Sequence, residues 1–160
     1  MTRLSVVATT ALLATLLAPW PASAQRYVVE EIDVEALVRE DGSLDVREVL
    51  TYDFDGRFSF AYRDIPRDAD VRIEDVRVSE NGVEYRQEDS EDPGTFAMTR
   101  EGRSTRITWR YSANRERRTF TVSYRLRGEV KKYADTAELY YKFVGEQWDR
   151  PIGRVTATVR

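Results

Sequence analysis

The stretch IDVEALVREDGSLDVREVLTYDF, residues 32–54, decides the fold class. At its middle, Asp41-Gly42 supplies the positive φ that a tight hairpin turn needs. Upstream, Ile32, Val34, Ala36 and Val38 recur with period two, with Asp33, Glu35 and Arg39 mostly opposite. Downstream, Leu44, Val46, Leu50, Tyr52 and Phe54 share one face, while Asp45, Arg47, Thr51 and Asp53 share the other. Alternation on both sides of a turn predicts two long antiparallel strands, each burying one face.

One residue breaks that pattern chemically. Glu48 lies in phase with Leu44, Val46, Leu50 and Tyr52, so it points toward the apolar side. A lone buried carboxylate is costly and must protonate or find a partner. Arg63, in Tyr62-Arg63-Asp64-Ile65-Pro66, is the candidate partner. A ligand-gripping or catalytic acid is the alternative role, but buried pairs more often fix an arrangement than react. Glu48 and Arg63 are therefore read as a structural ion pair.

The same period runs through the rest of the chain. Phe58, Phe60 and Tyr62 form an aromatic alternation, and Pro66 argues for an edge or crossing segment. In Val71–Ser79 the apolar phase switches between Ile73 and Val76, which predicts a β-bulge. Asn81-Gly82 marks a hairpin into Val83 and Tyr85. Gln87–Thr95 reads as an acidic, mobile loop. Short strands are expected at Phe96–Arg100 and Thr105–Tyr111, a charged turn at Asn114–Arg118, and a strand through Phe120, Val122, Tyr124 and Leu126. The last strands fall near Glu129–Tyr133, Glu138–Val144 and Gly153–Arg160. The expectation is an all-β protein of about nine or ten strands and no helix, an antiparallel β-sandwich forming one domain.

Residues 1–24 follow a different rule. Arg3 precedes an apolar run from Leu4 to Ala18, then Pro19-Trp20-Pro21 and Ala22-Ser23-Ala24. A cation, an apolar stretch and an A-x-A site are the parts of a secretory signal peptide, with cleavage expected between Ala24 and Gln25. A membrane span needs roughly 20 apolar residues, and this run is shorter. Residues 25–160 are then an extracytoplasmic domain, exported to the periplasm or the outer face of the cytoplasmic membrane.

Composition narrows the chemistry. The 160 residues hold 25 basic and 28 acidic side chains, a formal net charge of -3, and neither His nor Cys. This removes imidazole bases, Ser-His and Cys-His nucleophiles, thiolates and His or Cys zinc sites. The charge balance argues against nucleic acid as a partner. Glu88–Asp92 lacks the spacing of a calcium loop, and no phosphate loop or nucleophile elbow occurs. No cofactor is expected. Arg115, Arg117 and Arg118 form a basic turn that anionic lipid or glycan would meet only weakly.

Two carboxylates suffice for a glycosidase, but the acids mostly occupy outward or turn positions. Aromatics are better candidates for binding. Trp109 shares a face with Ile107 and Tyr111 and is read as core. Tyr140 and Tyr141 are adjacent, so on a strand one of them points outward. Trp148 follows Gly145-Glu146-Gln147 and is placed to cap an open end. Tyr140, Tyr141 and Trp148 are the candidate binding aromatics.

Several motifs occur in order: Asp41-Gly42-Ser43-Leu44 with Val46 and Glu48, Tyr62-Arg63-Asp64-Ile65-Pro66, Tyr124, Tyr133 with Asp135, Ala137, Glu138 and Leu139, then Gly145, Trp148, Pro151 and Ile152. Together they resemble the N-terminal domain of the bacterial predicted membrane proteins called the domain of unknown function 2207 family. The resemblance runs from about Tyr27 to Arg160. It implies a signal peptide, an extracytoplasmic β-rich domain, then transmembrane helices and a low-complexity cytoplasmic tail, with no assigned activity. Membrane anchoring is expected only if the chain continues beyond Arg160. The expectation is a non-enzymatic sensing, scaffold or binding module whose partner is a protein or envelope component. A glycan- or envelope-binding lectin-like module is the alternative, and a carboxylate-based glycosidase a more distant one.

Overall fold

The computed structural model describes residues 25–68, 70–144, 148 and 150–160. The expected signal peptide and its Ala24 lie outside the described residues. The strands are β1 (Arg26–Val38), β2 (Leu44–Asp55), β3 (Arg57–Pro66), β4 (Arg72–Glu80), β5 (Val83–Glu84), β6 (Arg86–Gln87), β7 (Thr95–Glu101), β8 (Ser104–Asn114), β9 (Arg117–Arg127), β10 (Val130–Lys132), β11 (Ala137–Leu139) and β12 (Ile152–Val159). The protein is all-β, and no helix occurs among the described residues.

The turns follow from their residues. Gly42 adopts φ 80°, and Arg39 closes the β1–β2 turn by donating its N–H to the Ser43 carbonyl at 2.8 Å. Asn81 and Gly82 both take positive φ, 51° and 79°, the pair that a two-residue hairpin between β4 and β5 requires. The phase switch between Ile73 and Val76 is a bulge: the β4–β9 register shifts between Glu74 and Arg77. The segment read as a mobile loop is laced internally, with the Thr95 hydroxyl donating to the Asp92 carbonyl at 2.7 Å.

Strand order in the larger sheet is β12-β1-β2-β9-β4-β5, in the smaller β3-β8-β7-β6, and β10-β11 form a separate hairpin. The two larger sheets share one core. Trp109 and Tyr111 of β8 lie 5.6 and 4.8 Å from Phe120 of β9, ring centre to ring centre. Ile32, Leu44, Leu50, Ile65, Ile107 and Leu126 fill the space around them.

Two pairings depart from the antiparallel expectation. β12 runs parallel to β1, and β6 runs parallel to β7. Parallel neighbours need a crossover rather than a hairpin, and β1 and β12 are joined only through the strands between them; of the segment from β11 to β12, residues 140–144, 148, 150 and 151 are described. The same segment corrects the expected strand at Glu138–Val144, because β11 ends at Leu139. Beyond it Tyr141 and Phe143 pack against the core as irregular chain. The strand total also exceeds nine or ten, through two-residue β5 and β6.

An aromatic groove above a buried ion pair

The β3–β8 register shifts between Phe58 and Phe60, where two residues of β8, Tyr111 and Ser112, stand opposite Ser59 of β3, so β8 carries the extra residue of a bulge. At this irregularity the side-chain phase of β3 inverts. Phe58 therefore points inward, 4.8 Å from the Phe54 ring. Past the bulge, Ala61, Arg63 and Ile65 face the core, and Phe60 and Tyr62 face out. This corrects the reading of Phe58, Phe60 and Tyr62 as one face. The outward rings are covered by cations: Arg106 lies 4.2 Å from the Tyr62 ring centre and Arg110 5.2 Å from that of Phe60. The bulge also aims Arg63 at β2.

Glu48 is fully buried on β2, with Val34 and Val122 as its lateral neighbours. Neither can hydrogen-bond its carboxylate, so relief comes from the opposite layer. Arg63 donates Nε to Oε2 at 2.7 Å and Nη2 to Oε1 at 3.3 Å, and the Tyr124 hydroxyl donates to Oε1 at 2.6 Å. The remaining Arg63 contacts reach backbone: Nη1 donates to the Asp64 carbonyl at 2.7 Å and Nη2 to the Phe143 carbonyl at 2.8 Å. The Tyr141 and Tyr124 hydroxyls are 3.0 Å apart. One buried ion pair thus ties β2, β3 and β9 to the irregular chain at Phe143 that follows β11. Burial, the largest single cause, would lower the Arg63 pKa, but the charge and hydrogen bond of Glu48, together with Tyr124 and Tyr141, hold the guanidinium above its ordinary value.

The hydroxyls around this pair resist ionisation. Burial, the largest cause, raises Tyr52, Tyr111, Tyr124 and Tyr141 above the ordinary phenol range, and the Glu48 charge adds to the shift at Tyr52, Tyr124 and Tyr141. A group whose pKa is raised by folding contributes its stability fully below the unfolded value. That contribution fades as pH climbs above about 10, where the unfolded chain releases protons that the fold retains. Expected in an alkaline titration is a late rise in phenolate absorbance that coincides with loss of β-sheet circular dichroism. Ionisation of these four tyrosines near pH 10 with the fold intact would contradict it.

Above the ion pair a groove of ≈ 600 Å³ runs along β3. Tyr27, Phe58, Tyr62, Trp148, Arg57 and Lys142 are among the residues lining it. Trp148 sits over the Arg63 guanidinium at 5.5 Å. Of the three candidate aromatics, Trp148 lines the groove, Tyr141 joins the buried network below it, and Tyr140 stands apart at 87% exposure. Gln25 also lines the groove. Tyr124, Tyr27 and the Phe143 carbonyl were not singled out by sequence as parts of one site. Tyr124 was visible in a clean alternation and among the motifs of the family resemblance, neither of which points to Glu48, and a backbone carbonyl leaves no mark in a sequence.

Several charges elsewhere are paired. Asp64 takes a two-pronged bond from Arg106 at 2.8 Å. Arg115, Arg117 and Arg118 of the basic turn meet Asp55, Glu30 and Glu80 respectively. Among the described residues no cluster of three or more carboxylates is arranged to hold a metal ion.

The family model described as "Predicted membrane protein (DUF2207) N-terminal domain" matches residues 28–160. The chain belongs to this family. No curated protein matches it. Similar solved structures include yeast LTA4 hydrolase in complex with bestatin, at 12% identity and TM-score 0.43 over 62% of this chain and 14% of that one. Another is a proposed protease from Parabacteroides distasonis, at 10% identity and TM-score 0.32 over 62% of this chain and 22% of that one. The DUF2207 chain thus spans under a quarter of either protein. Among its described residues no helix is long and apolar enough to cross a membrane.

Proposed function

We propose that this DUF2207 domain is a non-enzymatic, extracytoplasmic β-sandwich module, and that it binds an envelope component in the groove beside β3. The observation that supports this most is how the carboxylates around the groove are used. Glycoside hydrolysis by two carboxylates needs one to protonate the leaving group and one to attack or activate water, both reaching substrate. Glu48 is wholly buried and saturated by Arg63 and Tyr124, and Asp64 is held by Arg106. What faces the groove is aromatic surface with a cationic rim, which suits stacking and capture rather than turnover.

Titration with soluble cell-wall glycan fragments, followed by Trp148 fluorescence in a Trp109→Phe background, tests the reading. Saturable change that Trp148→Ala abolishes is expected, with no cleavage of the fragments. Fragment hydrolysis lost in Glu48→Gln, or fluorescence unmoved by every fragment, would overturn it.

A further inference from the structure

Among the described residues, three of the four edges of the two larger sheets are blunted. β5 and β6 are two residues long, and β3 ends in Pro66. The fourth, β12, is eight residues long, and beyond Ile152 every residue is exposed. Register places Val155, Ala157 and Val159 beside Ile32, Val34 and Ala36 of β1, on the face that elsewhere forms the core. Val155 and Val159 nevertheless remain 45% and 48% exposed. Neither Pro, Lys nor an inward-facing charge guards the strand.

The backbone of β12 is half used. Arg160 donates its N–H to Ala36 and accepts from Val38, so both its polar groups face β1. Period two extends this to Arg154, Thr156 and Thr158. The N–H and C=O groups of Val155, Ala157 and Val159 therefore point away from β1, along the open edge.

The residues at this edge read Arg154-Val155-Thr156-Ala157-Thr158-Val159-Arg160, the same in both directions about Ala157. We infer that β12 is a docking edge for a second copy of this chain, the two strands pairing antiparallel across a two-fold axis at Ala157. In that register Val155 meets Val159 of the second copy and Ala157 meets its equivalent. These are the residues with outward backbone groups, so each pair exchanges both of its N–H···O bonds. Thr156 meets Thr158 on the outer face, a favourable cross-strand pair, and the valines of both copies join into one apolar strip. Arg154 meets Arg160, and the carboxylate of Glu31, which bonds Arg154, offsets that repulsion. A two-fold axis makes the contact closed, giving a dimer rather than a filament.

The chain has no cysteine, so a single introduced thiol reports the contact. Two residues facing each other in a hydrogen-bonded pair have Cα atoms about 5.5 Å apart, within disulfide range. Under mild oxidation, Ala157→Cys is expected to form a covalent dimer at least about tenfold faster than Val83→Cys at the opposite edge. Sedimentation of the purified wild-type chain is expected to show reversible dimer. Ala157→Pro, which removes an N–H that β1 does not use, is expected to weaken that dimer at least about tenfold with circular dichroism unchanged. Equal crosslinking at both edges, or a wild-type monomer at every concentration, would overturn the proposal. Neither readout involves the groove, so the two proposals stand or fall separately.

Discussion

Replacing Glu48 with alanine is expected to lower the unfolding free energy by about 3 kcal/mol or more, because it leaves the Arg63 guanidinium buried without a counter-charge. Arg63→Ala should cost a similar amount by stranding the carboxylate. Arg63 keeps only 5% of its side chain exposed and Glu48 none, so water cannot compensate either loss. The costs do not add. In Glu48→Leu/Arg63→Met the desolvation penalty disappears together with the attraction, and apolar side chains of comparable volume fill the space. That double variant is expected to be more stable than either single alanine variant. Urea unfolding of the set measures the coupling. Near-additive effects of Glu48→Ala and Arg63→Ala would refute the pairing. Tyr124→Phe gives a finer check: it removes one of the bonds to Glu48 and leaves the ion pair standing, so its cost should fall below that of either alanine variant.

Glu48 was legible in sequence for a simple reason. Period two is strict along β2, so a carboxylate in phase with Leu44, Val46, Leu50 and Tyr52 has nowhere to point but inward. The hairpins at Asp41-Gly42 and Asn81-Gly82 were legible because few residues tolerate positive φ, and Gly and Asn are the main ones. The bulge opposite Ser59 was hidden. Phe58, Phe60 and Tyr62 keep a continuous alternation in sequence although the extra residue that breaks the pairing lies on the partner strand β8, and cation–π cover from Arg106 and Arg110 makes outward aromatics tolerable. The irregularity inverts the phase of β3 and sets Arg63 rather than Tyr62 against the core.

The direction of β12 was hidden for another reason. Alternation records which face a residue takes, not whether its neighbour runs parallel. Nor could strand propensity foresee the course of Tyr140–Val144. Two tyrosines, Phe143 and Val144 favour a strand, but the Tyr141 hydroxyl and the Phe143 carbonyl are drawn to Tyr124 and Arg63 instead. Both departures border the groove: its lining includes Phe58, Phe60 and Tyr62 from the irregular stretch of β3, and Trp148.

Trp109→Ala is expected to cost about 3–5 kcal/mol, the range for deleting a large aromatic side chain from a closed core. Trp109 is fully buried on β8, between Ala61 of β3 and Phe96 of β7 in its own sheet and against Phe120 of the facing layer. Truncation opens a void that rigid strands on both sides cannot close. Trp109→Phe should behave very differently. The indole Nε1 is buried and has no acceptor among the described residues, so phenylalanine forfeits volume but no hydrogen bond and also relieves an unsatisfied donor. A cost below about 1.5 kcal/mol is expected for it. Denaturant titration of both variants decides the matter. A phenylalanine cost approaching the alanine cost would mean that the indole N–H is bonded in solution and that the centre of the core is polar where it is here read as dry.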